Sequence, residues 1–238
     1  MAYKQSTGLV NALMGAKATI TATTISADET GGVFTILDSG NALLTSGFRP
    51  GGTITISGFT GTAANNQITT ITSVASTGAS MIVAGTLVDD EAGESVTITQ
   101  NSMGFKDLFA NCTIHFYSGT VPANADADEG AGTKLLEISV GSVAMTAGTA
   151  TNGLNFDDIT AGVLTKSAAA WSDVGLATGP AAWWRMYDNG IITGASSTAI
   201  RCDGLVGTSW VAMILSSTSI VLGATTTVDT ATFTMPKT

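Results

Sequence analysis

Charge is what this sequence has least of. Asp, Glu, Lys and Arg make up only 11% of its 238 residues, against about 25% in an ordinary globular domain. Thr, Ser, Ala and Gly stand in their place, while 44% of the residues are hydrophobic. A hydroxyl-rich surface of this kind loses little hydration or rotamer freedom on contact. That favours burial between subunits; a weakly charged secreted β protein is the other reading of the same composition. The nine Lys and Arg are scattered singly and the formal net charge is −9. Binding to a phosphate backbone needs clustered cations, so no nucleic-acid partner is expected, and no anionic membrane surface.

Cysteine, histidine and long apolar runs are scarce as well. Cys112 and Cys202 are too few and too far apart for a disulfide scaffold. Two buried thiols are expected, with a mutual disulfide as the alternative. The run Trp210–Leu215 is strand-length, well short of a membrane span. The opening Met1-Ala2-Tyr3-Lys4-Gln5 has no apolar core of a signal peptide. The chain is therefore expected in the cytosol unless a particle carries it out.

These absences bear on chemistry. His115 is the only histidine, so Ser-His-Asp or Cys-His catalysis would have to run through it. Strand alternation puts it on one face with Thr113 and Tyr117, opposite Ile114 and Phe116. Cys112 is near in sequence, but across a helix–strand junction the two side chains need not converge. A sheet-face histidine, and no enzyme, is the expectation. No glycine pattern follows a strand and opens a helix as a nucleotide site requires, so no cofactor is expected. Asp126, Asp128 and Glu129 in the loop Pro122 to Gly132 form the densest acidic cluster. Spaced carboxylates can hold Ca²⁺, and these three are the metal candidates, although the bidentate Glu of an EF-hand is missing. Solvated turns are the preferred reading, as for Asp89-Asp90-Glu91 and Asp157-Asp158. Acidic pairs in turns also give no glycosidase pair.

What is present is β pattern punctuated by turns. Ser6 to Gly15 reads as a short helix, capped by Ser6 or Thr7, with Leu9 and Leu13 on one face and Gly15 to close it. From Ala18 to Thr99 come five or six strands, including Val33–Leu37, Thr53–Ser57, Ile68–Val74, Met81–Val83 and Val96–Ile98. Asp38 to Asn41 and Gly47 to Gly52 are turn clusters, and Phe59 anchors the polar loop Gly58 to Asn66. Ser102 can cap a second helix in which Phe105, Leu108, Phe109 and Cys112 recur at helical spacing. Strands follow at Thr113–Tyr117, Leu135–Val140, Ala181–Tyr187, Trp210–Leu215 and Thr230–Met235. Asn152-Gly153, Asn189-Gly190 and Asp203-Gly204 signal hairpins.

Adjacent residues on a strand point to opposite faces. Trp183 and Trp184 are thus both core only if both faces are covered, and one of them is expected to meet a neighbouring strand, domain or subunit. With Arg185 and Tyr187 they are the interface candidates. Trp171, Trp183, Trp184 and Trp210 are also the aromatics that would line a sugar groove.

Three segments together resemble a group of tailed-bacteriophage structural proteins: Ser6-Thr7-Gly8-Leu9-Val10-Asn11-Ala12-Leu13, Gly104-Phe105-Lys106-Asp107, and Ile114-His115-Phe116-Tyr117-Ser118-Gly119 with Pro122-Ala123-Asn124-Ala125-Asp126-Ala127. The closing segment, Leu215 to Ile220 with Gly223 to Asp229 and the final Thr-Phe-Thr-Met-Pro, is similar to the same group's C-terminus. The stretch Gly47 to Thr60, with Ala64-Asn65-Asn66, resembles a small β module of phage tail-tube and other virion proteins. It departs from that module at Gly52, where an Asp is usual. In the group the two helices are nearly consecutive. The resemblance therefore implies a discontinuous domain (1–15 and 102–238) interrupted by a β module (16–101), an insertion that costs little when the module closes its own ends. The alternative is simple tandem order, with the first helix belonging to the β module. The expected fold is mainly β: an antiparallel sandwich or jelly-roll-like domain with two short helices and a small barrel or Ig-like insert. The implied function is that of a structural component of a virion assembled in the host cytoplasm. It would be a capsid decoration or head-stabilising protein that binds copies of itself and other virion proteins such as the major capsid protein. A tail tube or tip subunit and a host-surface glycan-binding module are the alternatives.

Overall fold

A computed structural model describes residues 4–101, 103–157, 159–160, 162–207 and 213–234. Ser102, Asp158, Trp210 to Ala212 and Met235 lie outside the described residues. The chain is mainly β and antiparallel, and it divides into two compact units. One gathers Met1–Asn11, Phe109–Thr146 and Thr151–Thr238; the other holds Ala12–Leu108 with Ala147–Ala150. The divisions thus fall at 11/12 and 108/109 rather than at 15/16 and 101/102.

In chain order, strand β1 (Lys4–Gln5) leads into helix α1 (Thr7–Leu13). The second unit then supplies β2 (Thr19–Ala22), β3 (Ile25–Thr30), β4 (Val33–Asp38), β5 (Thr53–Ser57), β6 (Ile68–Val74), β7 (Ser80–Val83) and β8 (Val96–Gln100). Helix α2 (Phe105–Leu108) follows. The rest of the first unit contributes β9 (Thr113–Tyr117), β10 (Lys134–Val140), β11 (Val163–Thr165), β12 (Trp171–Val174) and β13 (Gly179–Pro180). It ends with β14 (Trp183–Tyr187), β15 (Arg201–Leu205), β16 (Met213–Leu215), β17 (Ser219–Ile220) and β18 (Thr225–Thr234).

In the second unit the sheet order is β2-β8-β5-β6-β7-β4-β3. Strand β6 carries the corner: its first half pairs with β5 and its second half with β7, with a register shift between Ile71 and Ser73. That shift explains the imperfect alternation there. Ile68 faces solvent, Thr69 and Ile71 face inward, and the bulge returns Val74 to the core. Ile25, Ile36, Ile54, Ile56, Phe48 and Ile98 are central to that core. Side chains complete the loops. Asn66 both donates to and accepts from the Phe59 backbone, and Asn65 does the same for Val88. Gln100 clasps the Arg49 N–H and carbonyl at 2.9 and 3.1 Å. A Cβ at position 52 would stand 1.6 Å from Gln100 Nε2, so the Gln100 clasp requires the space that Gly52 leaves. Asp38 accepts from Thr24, Gly40 and Ala42. Burial would raise its carboxyl, but these bonds hold it below the usual range.

The first unit is one long sheet in the order β1-β15-β14-β9-β10-β12-β18-β11, with β16 also on β18 and a separate β13–β17 pair. The sheet curls. Trp184 on β14 and Phe233 on β18 are separated by β9, β10 and β12, roughly 19 Å in a flat sheet at about 4.8 Å per strand. Their ring centroids are 6.0 Å apart. The curl closes a core of Trp184, Met186, Ile114, Phe116, Ile138, Cys202 and Phe233, all buried.

Two sequence expectations are corrected here. The second helix ends at Leu108 rather than reaching Cys112, because Asn111 adopts a left-handed φ of 55° and Cys112 pairs with Leu154. Asn152-Gly153 and Asn189-Gly190 lie in turns, but Asp203-Gly204 lies inside β15. Its glycine answers a close approach: a Cβ at 204 would stand 2.3 Å from Trp184 Cζ2. Gly204→Ala is accordingly expected to destabilise the chain by about 1–3 kcal/mol. It should lower the urea midpoint at unchanged m-value, while Gly104→Ala, with nothing nearer than 3.5 Å, leaves the midpoint in place.

Candidate functional site

Alternation along β9, β14 and β15 gives the first unit's sheet a second, polar face. Thr113, His115 and Tyr117 share it with Trp183, Arg185 and Tyr187, and with Arg201 and Asp203 across the next pairing. In register, Arg185 sits between His115 and Asp203. All these side chains are buried. The cover is the loop from Ser118 to Thr133, together with the connection 188–200.

Arg185 and Asp203 form a two-bond pair, Nε to Oδ1 at 2.7 Å and Nη2 to Oδ2 at 2.8 Å. Burial alone would weaken the arginine's charge, but the Asp203 carboxylate raises its pKa above the ordinary value; burial also raises the Asp203 carboxyl, against the lowering pull of its bonds to Arg185 and the charge of Arg201. The remaining nitrogen reaches into the covering loop, to Ala127 O at 2.9 Å and Glu129 Oε1 at 3.1 Å. Arg201 binds main-chain oxygens. It donates to Ala125, Asp126 and Ala127 on one side and to Ile192, Gly194 and Ser196 on the other. Lys4 adds a bond to Pro122 O.

The loop also holds the first helix. Asp126 accepts from Thr7 N–H at 2.8 Å and from Thr7 Oγ1 at 2.6 Å. Ser6 caps α1 through Leu9 N–H at 3.0 Å while donating to Ala199 O and accepting from Arg201 N–H. The segments Ser6-Thr7 and Ala125-Asp126-Ala127 are thus parts of one lock.

A directed hydrogen-bond chain runs beneath. Tyr187 donates its one proton to Glu129 at 2.5 Å, so its oxygen accepts from Tyr117 at 3.2 Å. Tyr117 in turn accepts from His115 Nδ1 at 3.3 Å. That direction leaves His115 Nε2 as a buried acceptor with no hydrogen-bond partner among the described residues, 3.6 Å from Glu137 Oε2. Burial pulls the His115 pKa down to about 4 against the opposing charge of Glu137, so the ring is neutral at pH 7. Burial likewise pushes Tyr117 up to about 12. Burial would raise Glu129, but the bonds from Tyr187 and Gly194 and the charge of Arg185 bring it below the usual range.

The three metal candidates diverge. Asp126 serves α1, Asp128 accepts from Gly130 N–H, and Glu129 serves Arg185 and Tyr187. Among the described residues no cluster of three His, Cys, Asp or Glu has the geometry to hold an ion. Nor do His115 and Cys112 form a reactive pair. The Cys112 thiol is buried on the apolar side and raised by that burial, as is Cys202, and both are free.

The interface candidates are corrected. Trp183, Trp184, Arg185 and Tyr187 are all 0–1% exposed. The opposite-face rule holds, but this chain itself covers both faces. Trp183 stacks on Tyr117 with centroids 4.4 Å apart and lies 5.6 Å from the Arg185 guanidinium. Trp184 packs edge-on to Phe233 and donates to Leu205 O. Trp171 is buried as well, so the described tryptophans expose no stacking face to a sugar. Sequence reasoning missed Arg201 and Asp203, whose signal was their alternation with Cys202 in a run read as a turn.

Comparison with family models, with characterised proteins and with solved structures gives no match.

Arg185→Leu strands a buried carboxylate and is expected to cost about 3–5 kcal/mol. Adding Asp203→Leu should recover most of that loss; losses that merely add in a urea double-mutant cycle would contradict the coupling. His115 gives a pH dependence. Its folded pKa, about 4, lies below the unfolded value near 6.5, so the unfolded chain takes up the proton first. Stability present above pH 6.5 is lost as pH falls to about 4, by up to about 3 kcal/mol. His115→Gln should lessen the fall of the urea midpoint between pH 6.5 and 4.5.

Proposed function

We propose that this chain is a non-enzymatic structural subunit of a bacteriophage particle, in the first instance a capsid decoration or head-stabilising protein. The observation that carries the reading is the lock of Ser6, Thr7, Asp126 and Arg201. Two of the segments that carry the phage resemblance, 6–13 and 114–127, meet there, so that part of the likeness follows a physical unit rather than scattered positions. The chemistry of that unit supports the same reading. Its carboxylate binds a hydroxyl and an amide, its Ser6 hydroxyl accepts from the Arg201 amide, and its guanidinium binds the chain's own carbonyls, which holds a shape and leaves those groups engaged. The low charge of the sequence keeps the desolvation cost of subunit contacts small.

The test is the particle. Purified virions carrying a tagged copy should show label over the head, at a copy number that scales with the capsid lattice. Label in rings along the tail would move the protein to the tube, and absence from intact particles would end the structural reading.

A further inference from the structure

One buried nitrogen of the first unit carries a lone pair with nothing to receive. His115 is 3% exposed, and its Nε2 has no hydrogen-bond partner among the described residues. A bare acceptor inside a protein costs free energy. The bond chain described above fixes which nitrogen is bare. Glu129 takes the proton of Tyr187, Tyr187 accepts from Tyr117, and Tyr117 accepts from His115 Nδ1. The ring is therefore held as the tautomer whose Nε2 is a free base. A metal-binding imidazole is oriented in this way: its other nitrogen donates to a fixed partner, which sets the ring and raises the basicity of the ligating atom. Here the partner chain ends on a carboxylate.

The free lone pair faces a second acceptor. His115 and Glu137 are directly opposed on β9 and β10, and Nε2 stands 3.6 Å from Glu137 Oε2. Two acceptors across such a gap are brought to terms by a cation. Nitrogen and oxygen ligands of one tetrahedral ion, each about 2.0–2.2 Å from it, lie about 3.4 Å from one another. The separation here is close to that, and strands hold both side chains in place. The Glu137 side chain is 36% exposed, so water reaches the same point. Among the described residues no third His, Cys, Asp or Glu completes a cluster; Asp173 turns its carboxylate onto the N–H groups of Glu137 and Val174. Two cations stand near. Arg185, in register on the other side of His115, is paired with Asp203. Lys134 Nζ lies 2.6 Å from Glu137 Oε2, but its side chain is 40% exposed. An ion pair so open to water is weak, and the ammonium yields the carboxylate to a doubly charged ion. Imidazole with carboxylate and water suits Zn²⁺ and its transition-metal neighbours, whereas Ca²⁺ and Mg²⁺ take oxygen ligands. We propose that His115 Nε2 and the Glu137 carboxylate bind one divalent transition-metal ion of the Zn²⁺ class, with water in the remaining positions. The site stands independently of the virion reading.

His115 is the only histidine, so its ring resonances report the site in the full chain prepared without a histidine tag. Zn²⁺ alone should shift them until one ion per chain is bound, and Mg²⁺ should leave them in place. His115→Gln and Glu137→Gln should each weaken Zn²⁺ binding, measured by titration calorimetry, by at least about tenfold. Tyr117→Phe removes the acceptor behind the ring and should weaken it by about 10–100-fold. Lys134→Met, at an exposed position, frees the carboxylate and should tighten binding by about two- to fivefold. That gain cannot arise from a misfolded variant. Ring resonances that Zn²⁺ leaves unmoved, binding that survives His115→Gln, or a Lys134→Met chain that binds no more tightly overturns the proposal.

Discussion

The first unit depends on a guanidinium that, among the described residues, binds main-chain oxygens and no carboxylate. A covering loop without strand or helix has carbonyls that its own backbone does not satisfy, and burying them unpaired is costly. Arg201 meets that demand with a planar fork of five N–H donors, set where two loops converge. A lysine, with one nitrogen and rotating donors, cannot bridge both loops in the same way. Arg185, one strand over, is neutralised by Asp203 and spends its remaining donors on the same loop. The two arginines thus replace the ladder that secondary structure would have supplied. The helix cap, the Tyr117–Trp183 stack and the buried histidine all lie where that cover holds them.

The same substitution of side chain for backbone recurs in the second unit without charge. Asn65 and Asn66 each pair with a main-chain N–H and C=O as a strand neighbour would. Gln100 does so for Arg49, and Asp38 gathers the amides of its own turn. A chain poor in charged residues and rich in Ser, Thr and Gly organises its irregular segments by local amide and hydroxyl bonding. The composition and the loop structure have one physical cause.

Much of the strand pattern was legible because alternation is local. Thr53–Ser57, Ile68–Val74 and Thr113–Tyr117 are strands with the bounds their sequences suggest. β15 was hidden because Asp-Gly is strong turn chemistry, and only tertiary facts explain it: a tryptophan over Gly204 and an arginine opposite Asp203. The periodicity of Phe105, Leu108, Phe109 and Cys112 was real as burial, but one left-handed asparagine cut the helix short. Arg201 was invisible for a different reason. A lone arginine carries no pattern, and its partners at 125–127 and 192–196 are brought to it only by the fold. The tryptophan pair shows where a sound rule stops: it states that two faces are covered, not by what.

The bond between Ser6 and Arg201 joins residues 195 positions apart, and β1 pairs with β15. A ribosome makes the first partner long before the second. The seven strands of the second unit lie wholly between them in the chain and are complete once Gln100 has emerged. During synthesis the inner unit has its full complement of strands while the N-terminal helix still waits for its seat. The first unit's sheet closes only once residue 201 has emerged, so a chain truncated before it keeps every strand of the second unit and an unsealed sheet in the first.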